Sequence, residues 1–281
     1  MLNNMAKDQR EFCCRVCGQP LAAQAWGGGE CSACGSVSAT LLPSEAEIEA
    51  HYRADNPVYI GGSCNLERYA RQYLRLCRKH ATNGRLLDVG SATSPFPNFA
   101  VAAGFSVSVM DYIRPEGLVS EVSFHRGTLN VEDTVRPLFG SYDVVTAWAV
   151  IEHVPDPATA AKIIASCCRK GGVILLSTPE IGTWLTNHSL GASNWFDPPG
   201  HLHLISPRGI LRLFGEQRCQ LLEWGRLELN AARFVIRYGI GFCETLLGLP
   251  IKTCANRTWH RLRDNRRQLF RGITYYAFRR V

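Results

Sequence analysis

The feature that most constrains the fold is an alternation of short apolar strands with helices, which begins at residue 85. Buried strands are predicted at residues 86–89, 106–110 and 142–147, and each is followed by a polar residue or a turn. Helices are predicted at residues 96–103 and 158–169. Because strands joined through helices pair in parallel, this alternation predicts an α/β fold with a doubly wound, mostly parallel sheet.

The second half of the chain extends this sheet. Strands are predicted at residues 173–177, 221–227 and 273–279, and an insertion at about residues 229–271 separates the last two. A basic helix is expected near residues 258–270. Ligands of such sheets bind at the carboxyl ends of the parallel strands, so we expect the site there.

Two pairs of cysteines precede the sheet. Cys14-x-x-Cys17 and Cys31-x-x-Cys34 are each followed by glycine. Two such turns supply four thiolates, the tetrahedral ligand set that suits Zn²⁺, so residues 1–43 are predicted to form a zinc ribbon with a structural metal. Cys13 is an alternative first ligand, but the repeated pattern favours Cys14.

A helical connector is predicted at residues 44–82, between the ribbon and the sheet. Ser44 and Glu47 have the spacing of a capping box at the start of a short helix. A second helix is predicted to begin at Asn65 and to end near His80.

Four sequence runs carry a family resemblance. They are LLDVGSATSPFPNFAVAAGFSVSVMD, YDVVTAWAVIEHVPDP, GGVILLSTP and PPGHLHLISPRGILRLF, in that order. Together they resemble the class I S-adenosylmethionine-dependent methyltransferases, and in particular the bacterial branch with an N-terminal four-cysteine zinc ribbon. The resemblance covers about residues 12–226. It implies a seven-stranded sheet ending in an antiparallel pair, S-adenosylmethionine as cofactor, and methyl transfer as the activity.

The resemblance also implies the cofactor-binding residues. Asp88 and Gly90 match the family's glycine-rich turn, whereas Ala92 and Ser94 replace two of its glycines, and a left-handed backbone at either would be strained. Asp111 stands where the family places an acid for the ribose hydroxyls. Thr128 or Asn130 is expected near the adenine. The complete set of implied cofactor contacts is Asp88, Gly90, Ser91, Ala92, Asp111, Tyr112 and Trp148.

Histidines in two of these runs are the catalytic candidates. His153 follows the fourth strand and His201 follows the fifth, so either is placed to accept a proton from the acceptor. A structural role is the alternative for both. His201 and His203 form a His-x-His pair that suits a metal, but the sequence shows no third ligand nearby.

Charge and composition narrow the class of function. The net charge is +7, yet residues 251–281 hold nine basic side chains and one acid, so the remainder of the chain is nearly neutral. This distribution favours a small-molecule acceptor, anionic or a nucleotide-linked sugar, over nucleic acid. An RNA methyltransferase, a non-catalytic binding protein and peripheral membrane contact are the alternatives. Twelve cysteines without a signal sequence or transmembrane segment predict a cytoplasmic protein.

Overall fold

The computed structural model describes residues 13–23, 27–53, 63–179, 181, 196, 198–227 and 273–281. The predicted insertion at residues 229–271 and its basic helix lie outside the described residues, as do most of residues 182–197. Among the helices of the described ranges, none combines the length and the hydropathy needed to cross a membrane.

A seven-stranded sheet forms the centre of the molecule, as the family resemblance implies. Its strands are β4 (Gly84–Val89), β5 (Phe105–Asp111), β6 (Ser123–Arg126), β7 (Tyr142–Trp148), β8 (Cys168–Pro179), β10 (Cys219–Arg226) and β11 (Ile273–Arg280). Their order in the sheet is β10-β11-β8-β7-β4-β5-β6, and the four pairings among β4 to β8 are parallel. The strand β11 runs antiparallel between β8 and β10.

Helices cover both faces of this sheet. On one face lie α2 (Ser63–His80) and α3 (Phe96–Ala102), whose buried side chains include Tyr73 and Phe96. On the other face lie α4 (Pro157–Cys167) and α5 (Pro207–Glu216). Neighbouring strand residues alternate between the two cores: Leu86 belongs to the first and Leu87 to the second.

Helix termini follow the capping signals, with one difference. The Asp156 side chain accepts hydrogen bonds from the backbone N–H groups of Ala158 and Thr159, which fixes the start of α4 at Pro157. The predicted end of this helix at Arg169 is wrong by two residues. Cys168 leaves the helical conformation because it pairs with Tyr142 in the sheet, so β8 follows α4 directly.

The cysteine-rich segment forms a second, four-stranded sheet. It contains β1 (Ala22–Ala23), β2 (Gly28–Glu30), β3 (Val37–Ala39) and β9 (His203–Leu204), all antiparallel. The strand β9 comes from the loop that leads into α5, so this sheet includes residues from both halves of the chain. The helix α1 (Glu45–Arg53) follows β3.

The predicted capping box is present at α1. Ser44 Oγ accepts a hydrogen bond from the Glu47 N–H, and the Glu47 carboxylate accepts one from the Ser44 N–H.

Candidate active site

The turn after β4 lies at the carboxyl edge of the large sheet. Gly90 has φ +68°, and a Cβ there would be 2.8 Å from Val150 Cγ2, so the position requires glycine. Ala92 has φ +46°, which is the strained left-handed conformation expected for a residue that replaces a glycine. Ala149, which directly follows β7, has φ +54°. Strained backbone clusters at functional sites, so this edge of the sheet is the candidate site.

Asp88 points into the protein and stabilises this turn. Its carboxylate accepts hydrogen bonds from Ser91 Oγ at 2.5 Å and from Thr146 Oγ1 at 2.6 Å. The side chain is fully buried, and burial raises its pKa to about 7 against the opposing effect of these two hydrogen bonds. Asp88 therefore joins β4, β7 and the turn, and Ser91 is itself buried.

Asp111 ends β5 directly beside the same turn. One carboxylate oxygen accepts a hydrogen bond from the Ala92 N–H at 3.0 Å and the other from the Tyr112 N–H at 2.7 Å. Burial raises the pKa of this carboxyl group, and the backbone hydrogen bonds oppose the rise. Each carboxylate oxygen has a second lone pair, so both can accept a further hydrogen bond from a diol.

Tyr112 connects this edge to the segment after β6. Its hydroxyl accepts hydrogen bonds from Thr128 Oγ1 at 2.8 Å and from Asn130 Nδ2 at 3.2 Å. The Asn130 amide oxygen is buried and has no hydrogen-bond partner among the described residues. A buried acceptor without a donor is costly in a folded protein, so this oxygen suits a ligand N–H.

Trp148 lies in the apolar core below the edge. Its ring stacks on Tyr73 with centroids 4.0 Å apart and meets Phe96 edge-on at 5.8 Å. The Trp148 side chain is 9% exposed, and its indole N–H has no partner among the described residues. This packing fixes α2 and α3 against the end of β7.

Glu152, His153 and His201 form a cluster at the same edge. One carboxylate oxygen of Glu152 and one ring nitrogen from each histidine lie within 4.8 Å of one another. The two imidazole rings have their centroids 4.5 Å apart. Val150, which contacts the Gly90 turn, lies on the same loop two residues before Glu152, so the cluster adjoins the turn.

Backbone contacts hold the cluster together. His153 Nδ1 lies 3.0 Å from the Gly200 carbonyl oxygen, to which it donates, and this contact orients the imidazole ring. The Glu152 carbonyl oxygen accepts hydrogen bonds from the N–H groups of Leu202 and His203. The loop after β7 and the loop before α5 therefore present their side chains at one place.

Within the cluster of Glu152, His153 and His201, the Glu152 carboxylate is unusual because it is completely buried. Glu152 is 0% exposed, and neither oxygen has a hydrogen-bond partner within the described ranges. Burial raises its pKa to about 7, while the neighbouring His201 opposes the rise. The nearby Thr178 hydroxyl also opposes it without completing a hydrogen bond. A carboxylate in this position favours a cationic partner.

His203 does not join this cluster. It is fully buried in β9, where Nδ1 lies 3.0 Å from Ser38 Oγ of the small sheet. Burial lowers its pKa to about 4. The two histidines of the His-x-His pair are therefore separated, and His201 lies beside Glu152 and His153 instead.

The four cysteines of the repeated pattern converge in the small sheet. All four are buried, with Sγ atoms within 4.8 Å of one another. Cys14 and Cys34 Sγ are 3.6 Å apart, and Cys17 and Cys31 Sγ are 3.4 Å apart. Sulfur atoms around a tetrahedral Zn²⁺ are separated by about 3.8 Å, because each Zn–S bond is about 2.3 Å.

The two cysteine turns have the same geometry. The Gly18 N–H donates to the Cys14 carbonyl and the Gly35 N–H to the Cys31 carbonyl, both at 2.7 Å. Both glycines adopt left-handed φ values, of +74° and +73°. The donor set and the backbone therefore fit a zinc ion held by Cys14, Cys17, Cys31 and Cys34.

Comparison with known proteins identifies the family. Residues 63–223 match the family described as "Methyltransferase domain", which is more than half of the chain. The chain belongs to this family, and its sheet has the class I methyltransferase fold.

Curated relatives are similar over a shorter segment. A ubiquinone biosynthesis O-methyltransferase of Bordetella bronchiseptica is 34% identical over 101 residues, which is 34% of this chain and 42% of that protein. One from Xanthomonas oryzae is 32% identical over 109 residues, which is 36% of this chain and 45% of that protein. The matches thus span less than half the length of these relatives.

Solved structures support the fold over most of the chain. The 1,6-didemethyltoxoflavin-N1-methyltransferase of Burkholderia thailandensis, solved with S-adenosylhomocysteine, superposes with a TM-score of 0.55. It is 14% identical and covers 88% of this chain and 96% of its own. The [4+2]-cyclase SpnF superposes with a TM-score of 0.51 at 14% identity, over 74% of this chain and 80% of its own.

Proposed function

We propose that this protein transfers a methyl group from S-adenosylmethionine to a hydroxyl oxygen of a small molecule. The observation that carries the proposal is the shared sheet edge, where the strained Gly90–Ala92 turn and Asp111 adjoin the cluster of Glu152, His153 and His201. Membership in the methyltransferase family supports the reaction class. The O-methyltransferase names of the curated relatives support oxygen as the acceptor atom.

On the donor side, the residues fit the cofactor group by group. The Asp111 carboxylate has lone pairs free for the ribose diol, and the unpaired Asn130 oxygen suits the adenine amino group. The turn at Gly90, Ser91 and Ala92 is the proposed contact for the methionine part. Asp88 stabilises that turn through the hydrogen bond that it accepts from Ser91 Oγ. Tyr112 and Trp148 remain predicted cofactor contacts, Tyr112 through its partly exposed ring and Trp148 from the core.

On the acceptor side, the cluster orients the hydroxyl and removes its proton. S-adenosylmethionine supplies an electrophilic methyl group on sulfur, so the protein has to align the acceptor oxygen with that carbon. The Nδ1 contact to Gly200 orients His153, and His201 lies beside it. In this proposal one of the two histidines receives the proton.

The charge distribution supports the kind of acceptor that we propose. Seven basic residues fall within residues 251–271, and the sequence therefore favours an anionic or nucleotide-linked sugar. The cysteine-rich segment between residues 13 and 40 has one basic residue, Arg15, which argues against a grip on RNA. Cys14, Cys17, Cys31 and Cys34 bind one structural zinc ion in this proposal.

Calorimetric titration with S-adenosylmethionine tests the donor side. We expect saturable binding to the wild type and at least about tenfold weaker binding to Asp111→Ala, because the diol loses its acceptor. Glu132→Gln, which changes an acid outside the edge, is the matched control and should bind as the wild type does. Absence of binding at millimolar cofactor would overturn the proposal and favour a non-catalytic protein.

A further inference from the structure

We infer that the acceptor carries an uncharged apolar group, and that this group binds in a cavity between α1 and the loop before His201. The cavity has a volume of about 570 Å³, which is within the range of small-molecule sites in proteins. The inference rests on the proposed function for the identity of the ligand as the methyl acceptor. The cavity itself is a feature of the fold and does not depend on that function.

Aliphatic side chains and proline rings form most of the cavity wall. They are Leu41, Leu42, Pro43, Ala50, Pro198 and Pro199. The first four belong to the end of the cysteine-rich segment and to α1, and the two prolines form the other side. Because each proline ring fixes its backbone φ, the proline side of the wall is rigid before a ligand binds. Such a surface favours an apolar ligand group over a polar one.

The register of the small sheet places this cavity beside the candidate active site. The strands β3 and β9 are antiparallel, and the Ala39 N–H donates to the Leu202 carbonyl oxygen at 2.9 Å. The same antiparallel course beyond Ala39 brings residues 41–42 alongside residues 198–200, and the two segments face each other across the cavity. The pairing of the cysteine-rich sheet with β9 therefore creates the cavity.

Pro199 connects the cavity wall to the histidine cluster. It is followed by Gly200, whose carbonyl oxygen accepts a hydrogen bond from His153 Nδ1 at 3.0 Å. His201 comes next in the chain, and the centroids of the His153 and His201 rings are 4.5 Å apart. A ligand whose apolar group contacts Pro199 can therefore present a hydroxyl group to the cluster.

Glu47 determines which charge the cavity accepts. With His51 it is one of the two polar residues of the wall, one helical turn apart on α1. The Glu47 carboxylate accepts hydrogen bonds from the Ser44 N–H and from the Ser44 hydroxyl, both at 2.7 Å, and these bonds lower its pKa. It is therefore negatively charged at neutral pH and disfavours an anion. An anionic group of the acceptor would lie outside the cavity, and the apolar group within it.

Most of this wall lies outside the methyltransferase domain that the chain shares with its family. Six of the eight lining residues precede residue 63, at which the family match begins. The cysteine-rich segment and α1 thus contribute to the choice of acceptor, because they supply one side of the surface on which its apolar group packs.

Binding of phenol and of 4-hexylphenol to the full chain, in the presence of S-adenosylhomocysteine, tests the cavity. In the wild type, 4-hexylphenol should bind at least about tenfold more tightly than phenol, since each fully buried methylene contributes about fourfold. Ala50→Glu places a second carboxylate in the cavity, so it should reduce this ratio to below about threefold without changing the affinity for phenol. Ala46→Glu, at an exposed position of α1 that does not line the cavity, is the matched control and should preserve the ratio.

His153→Ala and His201→Ala test whether the ligand of the cavity is the acceptor. Phenol and 4-hexylphenol share the hydroxyl group, so at least one of these substitutions should weaken both ligands by the same factor, about threefold or more. The ratio between the two ligands should stay at its wild-type value. Thermal unfolding verifies the fold of every variant.

Equal affinity of the wild type for the two phenols would overturn the inference, as would an unchanged ratio in Ala50→Glu or an equal loss in Ala46→Glu. Unchanged binding of both ligands in both histidine variants would overturn the assignment of the cavity to the acceptor. Selective binding of 4-hexylphenol by a protein that does not bind S-adenosylmethionine would refute the proposed function and support the apolar cavity.

Discussion

At the scale of single residues, the backbone of the turn after β4 controls how closely a ligand can approach. At Gly90, both the close contact with Val150 and the left-handed backbone exclude a side chain. Ala92 adopts its left-handed φ at a cost of about 1–2 kcal/mol. The Ala92 N–H is held by Asp111, so the strained residue and the carboxylate are positioned together.

Substitutions in this turn should have opposite effects. We expect Gly90→Ala to destabilise the protein by more than about 2 kcal/mol, because the left-handed strain adds to the clash with Val150. Ala92→Gly should be neutral or stabilising by up to about 1 kcal/mol, since relief of strain exceeds the entropy cost of glycine. Urea unfolding at constant m-value measures both free energies.

A matched control separates strain from contact in that comparison. Gly140 has φ +65°, nearly the value of Gly90, and a Cβ there would meet no atom within 4 Å. Gly140→Ala should therefore lower the free energy of unfolding by less than Gly90→Ala does. The difference between the two is the contribution of the clash with Val150. Equal costs for the two substitutions would show that Val150 does not restrict the turn.

Asp88 should make stability depend on pH. Its folded pKa of about 7 exceeds the value of about 4 in an unfolded chain, so the native state retains a proton that the unfolded state releases. The stability contributed by this group is complete below pH 4 and is lost as the pH rises to 7. Asp88→Asn lacks this loss, so its melting temperature relative to the wild type should rise between pH 5 and pH 8.

Asp143→Asn is the control for this pH effect. Hydrogen bonds from the Arg85 N–H and from Arg169 lower the pKa of Asp143, so its contribution is already complete at pH 5. The difference in melting temperature for this variant should be the same at pH 5 and pH 8. A constant difference for Asp88→Asn as well would contradict the buried, protonated state of Asp88.

The candidate site was predictable from the sequence only in part. Asp88, Gly90 and Asp111 are found by their places at strand ends, because that position depends on local pattern. Glu152 was missed, because its role depends on the loop at residues 200–203 folding back on it. Tyr73 was missed as well, since its contact with Trp148 requires α2 to pack on the sheet.

At the scale of elements, the start of α5 connects the two sheets. Ser206 Oγ accepts a hydrogen bond from the Gly209 N–H and donates one to the Cys34 carbonyl. The Ser206 N–H donates to Ser36 Oγ. Ser206 therefore caps the start of α5 and also links this helix to the cysteine-rich sheet.

Removal of this cap should lower the free energy of unfolding by more than removal of an exposed cap does. We expect Ser206→Ala to destabilise the protein by about 2 kcal/mol, because a buried cap and a buried carbonyl lose their partner together. Ser44→Ala, at the exposed capping box of α1, is the matched comparison and should cost about 0.5–1 kcal/mol. Chemical denaturation measures both losses of unfolding free energy. Equal losses for the two variants would contradict this expectation.

Most elements of the large sheet were predictable, because apolar runs and turn residues define them locally. The parallel order and the antiparallel β10–β11 pair are confirmed. The two-residue strand β9 was not found. It exists because Val37 and Ser38 lie opposite it, more than 160 residues away in the sequence, and no local pattern reports such a partner.

At the scale of the whole molecule, the cysteine cluster and the candidate active site are mechanically connected. The Ala39 N–H donates to the Leu202 carbonyl, and the Leu202 N–H donates to the Glu152 carbonyl. A chain of three backbone segments thus runs from the small sheet through the His201 loop to the loop after β7.

Removal of metal from the cysteines should therefore loosen the His201 loop. We expect hydrogen exchange of the Leu202 and His203 amides to accelerate at least about tenfold after chelation, because their segment loses the support of β3. Amides of the β4–β5 ladder serve as the internal control and should be unchanged. Unchanged protection of residues 202–203 in metal-free protein would contradict this connection.

The position of β11 has a consequence for how the chain reaches this structure. Residues 273–280 fill an interior place in the sheet, yet they follow β8 by more than 90 residues of chain. During synthesis, β8 emerges and must wait with one row of backbone N–H and C=O groups unpaired until β11 arrives. Such an open strand edge recruits other chains, so nascent protein halted before residue 273 should be prone to aggregation.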